Sequence, residues 1–142
     1  MQRSKGGSSL YLLDTNIISA RINGNALVVA KWKQTASSGK ALSMSGINYY
    51  EIKRGLLAVN ATRKLRDFEA IRRTIEMLFL DTQEVFDKAV EIHVSLKRKG
   101  RPIPDADILI AATAQTQNLI LVSDDSHFQW IDDLIVENWL RV

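Results

Sequence analysis

Short apolar runs alternate with helical patterns along most of this chain. Residues 10–13 and 119–123 are nearly continuous apolar runs bounded by polar positions, which is typical of strands buried on both faces. Residues 40–45 and 78–80 are weaker strand candidates. Helices are predicted at residues 26–38, 47–59, 62–77, 82–99 and 105–116, and Gly100 and Pro102 end the fourth of them. Strands that alternate with helices predict an α/β domain with a mostly parallel central sheet.

Two of the predicted strands end in carboxylates. Asp14 follows residues 10–13 at once, and Asp124 and Asp125 follow residues 119–123. The carboxyl ends of parallel strands meet at one edge of a sheet, where α/β proteins bind their ligands. We therefore expect these acids to lie close together at that edge.

Two further acids lie in apolar surroundings. Glu51, in NYYEIKRGLL, shares a helix face with Ile47 and Gly55, so we expect it to point toward the sheet. Asp107 lies in the first turn of IPDADILIAATA, a helix that is otherwise almost wholly apolar. Each acid alone has an ordinary explanation, such as a helix cap before Thr15, a first-turn acid, a turn residue or a surface ion pair. Their convergence on one sheet edge instead predicts a site.

Clustered carboxylates of this kind predict a divalent cation. Like charges at close range raise each other's pKa, and a buried unpaired charge costs several kcal/mol, which a cation relieves. Oxygen ligands in a chain with no Cys and two His favour Mg²⁺ or Mn²⁺ over Zn²⁺. The net charge of +3 is mildly basic. An acidic metal site within a basic chain indicates a phosphate-bearing polyanion as substrate, cleaved by water that the metal activates.

Composition narrows the class of protein further. The chain has 142 residues, 46% of them hydrophobic and 25% charged, which is typical of one globular domain. The absence of Cys excludes disulfides, thiolate metal sites and cysteine nucleophiles, and we expect a cytoplasmic location.

We expect no membrane partner, because no apolar run reaches the roughly 18–20 residues of a bilayer span. Residues 1–9, MQRSKGGSS, are expected to be a flexible lead-in or an expression remnant, followed by a single domain at 10–142.

Four segments, in order, resemble the PIN-domain nucleases, in particular the VapC-like toxins of bacterial toxin–antitoxin pairs. These segments are LLDTNIIS, NYYEIKRG, PDADILIAATA and LILVSDDSHF, and the resemblance runs from Leu10 to about Trp139. It implies a three-layer α/β/α PIN-like fold and an endoribonuclease that depends on Mg²⁺ or Mn²⁺. It also implies a homodimer and a small antitoxin that covers the acidic pocket.

The resemblance assigns roles to the four acids. Asp14 would be the central metal ligand, and Asp107 and Asp125 would complete the ligand set. Glu51 would bind the metal directly or position the attacking water. No side-chain nucleophile is needed in this scheme.

Two spare acids leave the register open. Asp105 lies beside Asp107, and Asp124 lies beside Asp125, so either spare acid could be the ligand in place of its neighbour. We favour Asp107 because it directly precedes the apolar helix, and Asp125 because it keeps the family spacing.

Polar residues around the acids also match family positions. Asn16 and Ser123 correspond to positions that orient ligands or water, and VENW resembles the closing segment of the family. His127 stands where relatives often carry an acid before the Phe. We interpret His127 as a structural or substrate-side residue, and not as a metal ligand.

Basic residues near the acidic motifs are candidate RNA contacts. In the family interpretation, Lys53, Arg54, Arg98 and Arg101 would hold the RNA backbone, and salt would weaken this contribution steeply. The plainer explanation is that these are solvated helix faces and helix ends, where cations are favoured by the helix dipole.

The sequence therefore predicts a metal-dependent endoribonuclease that acts as the toxin of a toxin–antitoxin pair. The alternative is a catalytically idle PIN-like domain that binds RNA or a protein. Metal-dependent RNA cleavage that is lost on Asp14→Asn or Asp107→Asn distinguishes the two.

Overall fold

The computed structural model describes residues 9–142, so the predicted lead-in lies outside the described residues except for its last position. The elements in chain order are β1 (Ser9–Leu13), α1 (Thr15–Ile22), α2 (Ala26–Ser37), β2 (Ala41–Ser45), α3 (Gly46–Ala58), α4 (Thr62–Arg72), β3 (Glu76–Leu78), α5 (Gln83–Arg98), α6 (Asp105–Thr116), β4 (Ile120–Val122), a 3-10 helix (Ser126–Trp130) and β5 (Val136–Glu137). None of the helices within this range is long and apolar enough to cross a bilayer.

The strands form one five-stranded sheet in the order β3-β2-β1-β4-β5, and every pairing in it is parallel. The predicted α/β class with a parallel central sheet is therefore confirmed. β1 is the central strand, and its Leu13 pairs with Val122 at the end of β4. The backbone N–H of Asp14 donates to the carbonyl of Val122 at 2.9 Å. The two strands that were predicted to end in carboxylates thus end side by side.

Alternate residues of β1 pack into two separate hydrophobic cores, because successive side chains of a strand point to opposite faces. Leu12 packs with apolar residues of α5 and α6, whereas Tyr11 and Leu13 pack with those of α1, α2, α3 and α4. Leu12 and Leu13 are fully buried, and each such side chain stabilises the fold by roughly 1.5–3 kcal/mol. A helical layer covers each face of the sheet, so the predicted three-layer α/β/α architecture is confirmed.

The apolar composition of α6 brings its first turn to the sheet edge. Ala111, Ala112 and Ala114 are fully buried, and such small side chains allow the helix to lie close to the strands. α5 is amphipathic and packs against α6 through Ile92 and Leu96 of the same core. The first turn of α6, which carries two acids, is therefore held by core packing on both sides.

The helix predicted at residues 62–77 extends too far, and the strand predicted at residues 78–80 begins too late. α4 ends at Arg72. In the turn that follows, Thr74 Oγ1 donates to the carbonyl of Ile71 at 2.6 Å. A Thr side chain that bonds the backbone offers an alternative to the helical ladder. β3 then pairs with β2 from Glu76 onward, and this tertiary pairing outweighs the local helical pattern.

Three short elements, α1, the 3-10 helix and β5, are absent from the predicted set of helices and strands. α1 begins after Asp14, whose side chain accepts from Thr15 N, so the capping explanation for this acid is correct. The 3-10 helix begins in the same way at Asp125, which accepts from His127 N. β5 has two residues and pairs with β4 through Val136, so it is too short for any periodic signal.

Candidate active site

The four predicted acids lie in one electrostatically coupled group at the carboxyl edge of the sheet. Asp14 follows β1, Asp125 follows β4, Glu51 lies in the middle of α3, and Asp107 lies in the first turn of α6. Burial is the main cause that raises the pKa of Asp107, and the charges of Asp125 and Glu51 raise it further. The charges of Asp107 and Glu51 act in the same direction on Asp14. Carboxylates that act on one another in this way lie near each other.

Asp14 is the most buried acid of the group and is held by side chains from several elements. Only 5% of it is exposed. Ser123 Oγ donates to Asp14 Oδ2 at 2.7 Å, and Thr15 N donates to Oδ1 at 2.9 Å. Asn48 Nδ2 donates to Oδ1 at 3.2 Å, and Asn16 Nδ2 lies 3.5 Å from Oδ2. The carboxylate is therefore fixed in place rather than free to rotate.

Burial also sets the protonation of Asp14. Loss of hydration raises the pKa of Asp14 to about 6, while hydrogen bonds from Ser123 and Thr15 lower it and the charges of Asp107 and Glu51 raise it. Burial outweighs the hydrogen bonds because a carboxylate in an apolar setting loses more solvation than a few donors restore. A cation bound beside Asp14 would therefore favour the ionised form of its carboxyl.

Asn48 contacts the acid group, although it was not among the site residues predicted from the sequence. Its side chain is fully buried, and its Oδ1 accepts from Ser45 N at 3.0 Å and from Ser45 Oγ at 2.8 Å. The same amide donates through Nδ2 to Asp14 and, at 3.1 Å, to Thr15 Oγ1. The signal that could have revealed it is the Ser-x-x-Asn pattern at the start of α3, a variant of the capping box. Asn48 thus completes the capping box of α3, whose N-cap is Ser45, and orients the Asp14 carboxylate.

Glu51 joins the same network through a neighbouring hydroxyl. Thr15 Oγ1 donates to Glu51 Oε1 at 2.8 Å. The predicted inward face holds for Ile47 and Glu51, which are both half-buried, whereas Gly55 is exposed. The buried face of α3 continues through Ile52, and Glu51 lies at its edge, so the Glu51 carboxylate is at the margin of the core.

His127 lies beside two of the acids. Its Nδ1 is 3.2 Å from Asp125 Oδ1 and 3.4 Å from Asp107 Oδ2. One ligand atom from each of the three residues falls within 4.8 Å of the others. The 3-10 turn that Asp125 caps brings positions 125 and 127 together, so the D-x-H spacing is the signal that predicts this contact.

The two spare acids have other surroundings. Asp105 is exposed on the first turn of α6. Asp124 Oδ1 accepts from Asn138 Nδ2 at 2.6 Å and lies 3.4 Å from Arg141 Nε, so the C-terminal segment holds it. Only its backbone reaches the site, where Asp124 N donates to Asn16 Oδ1 at 3.1 Å. The acid group is therefore built from the favoured neighbours of these two residues.

Ser123 and Asn16 connect the two strand ends. Ser123 Oγ donates to Asp14 and accepts from Asp125 N at 3.0 Å. Asn16 Nδ2 lies 3.3 Å from Ser123 Oγ. These are the two polar positions that the sequence associated with orienting ligands or water, and both lie in hydrogen-bonding contact with the acid group.

Of the predicted RNA contacts on α3, Lys53 is engaged within the protein. Lys53 Nζ donates to Tyr49 OH at 2.8 Å and lies 3.5 Å from Glu69 Oε2. The hydrogen bond to Tyr49 raises the pKa of Lys53. Arg54 stacks over the ring of Tyr50, with its Cζ 4.8 Å from the ring centroid. Tyr50 is 60% exposed, so this cation–aromatic pair faces solvent.

The other two predicted RNA contacts are the last residue of α5 and a residue just beyond that helix. Arg98 and Arg101 are exposed, and the Cζ of Arg101 lies 4.5 Å from the ring centroid of Trp130. Lys99 Nζ donates to Asp132 Oδ1 at 2.7 Å. The basic segment is therefore attached to the loop that follows the 3-10 helix. Contact of these residues with RNA stays a prediction.

The fold and the acid group together define a class of protein, and comparison with known families agrees. Residues 11–134 match the family model described as the PIN domain. Because the match covers most of the chain, this protein belongs to the PIN domain family, as the sequence resemblance predicted.

Among individual proteins, the chain is similar to VapC and VapBC proteins. Ribonuclease VapC1 of Haemophilus influenzae (strain R2866) is 28% identical over 134 residues, which cover 93% of this chain and 99% of the relative. The structure of VapBC2 from Rickettsia felis, bound to a DNA fragment from their promoter, matches with a TM-score of 0.84 and 25% identity over 92% of this chain and 98% of that one. DNA-bound VapBC from Salmonella typhimurium matches with a TM-score of 0.82 and 25% identity over the same shares.

Proposed function

We propose that this chain is an endoribonuclease that depends on a divalent cation and acts as the toxin of a toxin–antitoxin pair. The observation that carries the proposal is the group of Asp14, Glu51, Asp107 and Asp125 at one sheet edge. Contacts through Thr15, Ser123 and His127 link these four acids. The ribonuclease name of the VapC1 relative supports the activity. The VapBC names of the structural relatives support a cognate antitoxin as partner.

The donors of this site fit Mg²⁺ or Mn²⁺. The four proposed ligands are carboxylates in a chain without Cys, and oxygen donors suit these two ions. A cation bound there would offset the repulsion that raises the pKa of Asp14 and Asp107. When bound, such an ion lowers the pKa of a water molecule and stabilises negative charge on a phosphodiester.

The residues of the chain have distinct proposed roles. Asp14 is the central ligand, since four donors hold it. Asp107 and Asp125 complete the ligand set from α6 and from the end of β4. Glu51 is oriented by Thr15 and binds the ion or positions the attacking water by accepting its hydrogen bond. No covalent intermediate on a side chain is required.

Matched pairs of variants test this assignment with an RNA substrate in Mg²⁺ or Mn²⁺. Asp107→Asn is expected to reduce single-turnover cleavage by more than about 100-fold, because even indirect partners of a metal contribute roughly 10–100-fold. Asp105→Asn changes an exposed acid on the same helical turn and is expected to leave the rate within about twofold.

Asp125→Asn and Asp124→Asn form the second pair, with loss of cleavage expected only for the former. EDTA is expected to abolish cleavage and added Mn²⁺ to restore it. Full cleavage by Asp107→Asn or Asp125→Asn would contradict the proposal, and RNA binding without any cleavage by the wild type would favour an idle binding domain.

The partner and assembly predictions are tested separately. Induced expression of the wild-type chain is expected to arrest growth, and co-expression of the cognate antitoxin is expected to relieve the arrest. Asp107→Asn should be harmless without the antitoxin. The homodimer and the cytoplasmic location stay predictions, and light scattering of the purified chain measures the former.

A further inference from the structure

His127 places an imidazole nitrogen, which can bind a metal, beside carboxylates that offer only oxygen. Its Nδ1 lies 3.2 Å from Asp125 Oδ1 and 3.4 Å from Asp107 Oδ2, and one ligand atom from each of the three residues falls within 4.8 Å of the others. Three donors so close to one another can all reach a single ion, because protein ligands lie roughly 2.0–2.6 Å from these cations.

The position of the imidazole is set by its backbone and not by packing of the ring. Asp125 Oδ1 accepts from His127 N at 2.9 Å and so fixes the first turn of the 3-10 helix. Phe128, the next residue, is 1% exposed and anchors the same turn in the core. The His127 side chain itself remains 43% exposed. The His127 ring therefore does not contribute to core packing. Its Nδ1 lies next to two carboxylates, which indicates a role in polar contacts or in metal binding.

We propose that His127 Nδ1 is a ligand of the cation that Asp107 and Asp125 bind, and that this nitrogen makes the site prefer Mn²⁺ to Mg²⁺. The inference rests on the proposed function in needing a cation at this site. Mg²⁺ takes oxygen ligands and loses its water reluctantly, whereas first-row transition ions accept imidazole. The assignment reverses the interpretation of His127 that the sequence suggested.

A spectroscopic experiment tests the Mn–N bond directly. The full-length chain is loaded with Mn²⁺, and electron spin-echo envelope modulation is recorded with ¹⁴N- and with ¹⁵N-labelled histidine. Modulation from a directly bound histidine nitrogen is expected in the wild type and is expected to vanish in His127→Asn. The chain has two histidines, and His93, which is exposed on α5, supplies the control. His93→Asn should keep the modulation.

Competition between the two ions tests the preference. His127→Asn is expected to weaken Mn²⁺ binding by roughly 10–100-fold and Mg²⁺ binding by much less. His127→Asp offers a hard oxygen ligand, so it should restore binding with the preference shifted toward Mg²⁺. Circular dichroism checks that each variant is folded, and His127→Asp keeps the test decisive if His127→Asn unfolds.

The outcomes separate this inference from the proposed function. Mn²⁺ binding that Asp107→Asn abolishes, without any histidine modulation in the wild type, overturns the inference and leaves the cation-dependent nuclease intact. An unchanged ratio of Mn²⁺ to Mg²⁺ affinity in His127→Asn also overturns it. Absence of Mn²⁺ binding by the wild type contradicts both the inference and the proposed function.

Discussion

Asp14 combines deep burial with a full set of donors, and these features oppose each other in its titration. The net result is a pKa of about 6, above the ordinary 3.8. The raised pKa means that the ionised form of Asp14 destabilises the metal-free fold. Metal binding requires the ionised form of Asp14, whereas the stability of the metal-free fold favours the protonated form. Such a conflict between activity and stability is common at catalytic sites.

The metal-free protein is expected to lose stability as the pH rises from about 4 to about 6. In this window the folded chain still holds a proton on Asp14 that the unfolded chain has released, so the free energy of unfolding falls with rising pH. A shift of about 2 pH units corresponds to about 3 kcal/mol. Urea denaturation in EDTA at several pH values measures it. Asp14→Asn should lose this component, and parallel curves for the two proteins would refute the assignment.

Asn48 is expected to affect both stability and activity, because its side chain completes the capping box of α3 with Ser45 and donates to Asp14. Asn48→Ala should destabilise the chain by roughly 1 kcal/mol through the lost cap and reduce RNA cleavage by about 10–100-fold. Asn25→Ala is the matched control, since Asn25 caps α2 through Val28 N. The control should lose similar stability and keep its activity. Equal activity of the two variants would mean that Asn48 serves the helix alone.

Most of the site residues lie at the ends of secondary-structure elements. Asp14 and Asp125 follow strand ends, Asp107 opens α6, and the 3-10 helix supplies His127. Ser123 joins two of these ends, because its hydroxyl donates to Asp14 and accepts from Asp125 N. A single buried hydroxyl therefore links the carboxylate that follows β1 to the backbone of the acid that follows β4.

Ser123→Ala is expected to lower RNA cleavage by about 10–100-fold, because the Asp14 carboxylate and the backbone N–H of Asp125 lose the hydroxyl that holds them. Ser123→Thr keeps the hydroxyl and should recover most of the rate. Single-turnover cleavage at saturating Mn²⁺ separates this orienting role from a simple loss of metal. If the Thr variant is as impaired as the Ala variant, packing at this position matters and the hydroxyl does not.

At the scale of the whole molecule, two cores hold the sheet and leave basic residues on the surface. Arg98 and Arg101 are exposed, and Arg101 is stacked on Trp130. Lys53 is bound to Tyr49 and Glu69 and is therefore a poorer candidate for RNA contact than the sequence suggested. The net charge of +3 leaves room for a modest electrostatic contribution to RNA affinity.

Arg98→Gln and Arg101→Gln are expected to weaken RNA binding and to flatten its dependence on salt. Each phosphate contact that is lost reduces the slope of log affinity against log salt by roughly 0.7 for single strands. Arg63→Gln, at an exposed position of α4, is the control for general charge. Salt titrations of RNA binding by inactive Asp107→Asn protein provide the measurement. An equal effect of all three substitutions would indicate net charge rather than contact.

Sequence pattern predicted the sheet and the four acids because those features depend on local order and on one rule of parallel sheets. The apolar run at residues 10–13 predicted β1, and Asp14, the next residue, therefore lies at its carboxyl end. Asn48 escaped notice because its role depends on contacts with Asp14 and Thr15, which lie 34 and 33 positions away. β5 was missed for the same reason, since pairing with β4 defines it and no pattern of its own does.

We propose that Asp14, Asp107 and Asp125 bind one catalytic cation. The most direct measurement of this is anomalous diffraction at the manganese absorption edge from crystals of the active wild-type chain soaked in Mn²⁺. An anomalous peak is expected within roughly 2.0–2.6 Å of oxygens from these three carboxylates. Saturating Mn²⁺ with no peak among them, in crystals of protein that cleaves RNA, would contradict it.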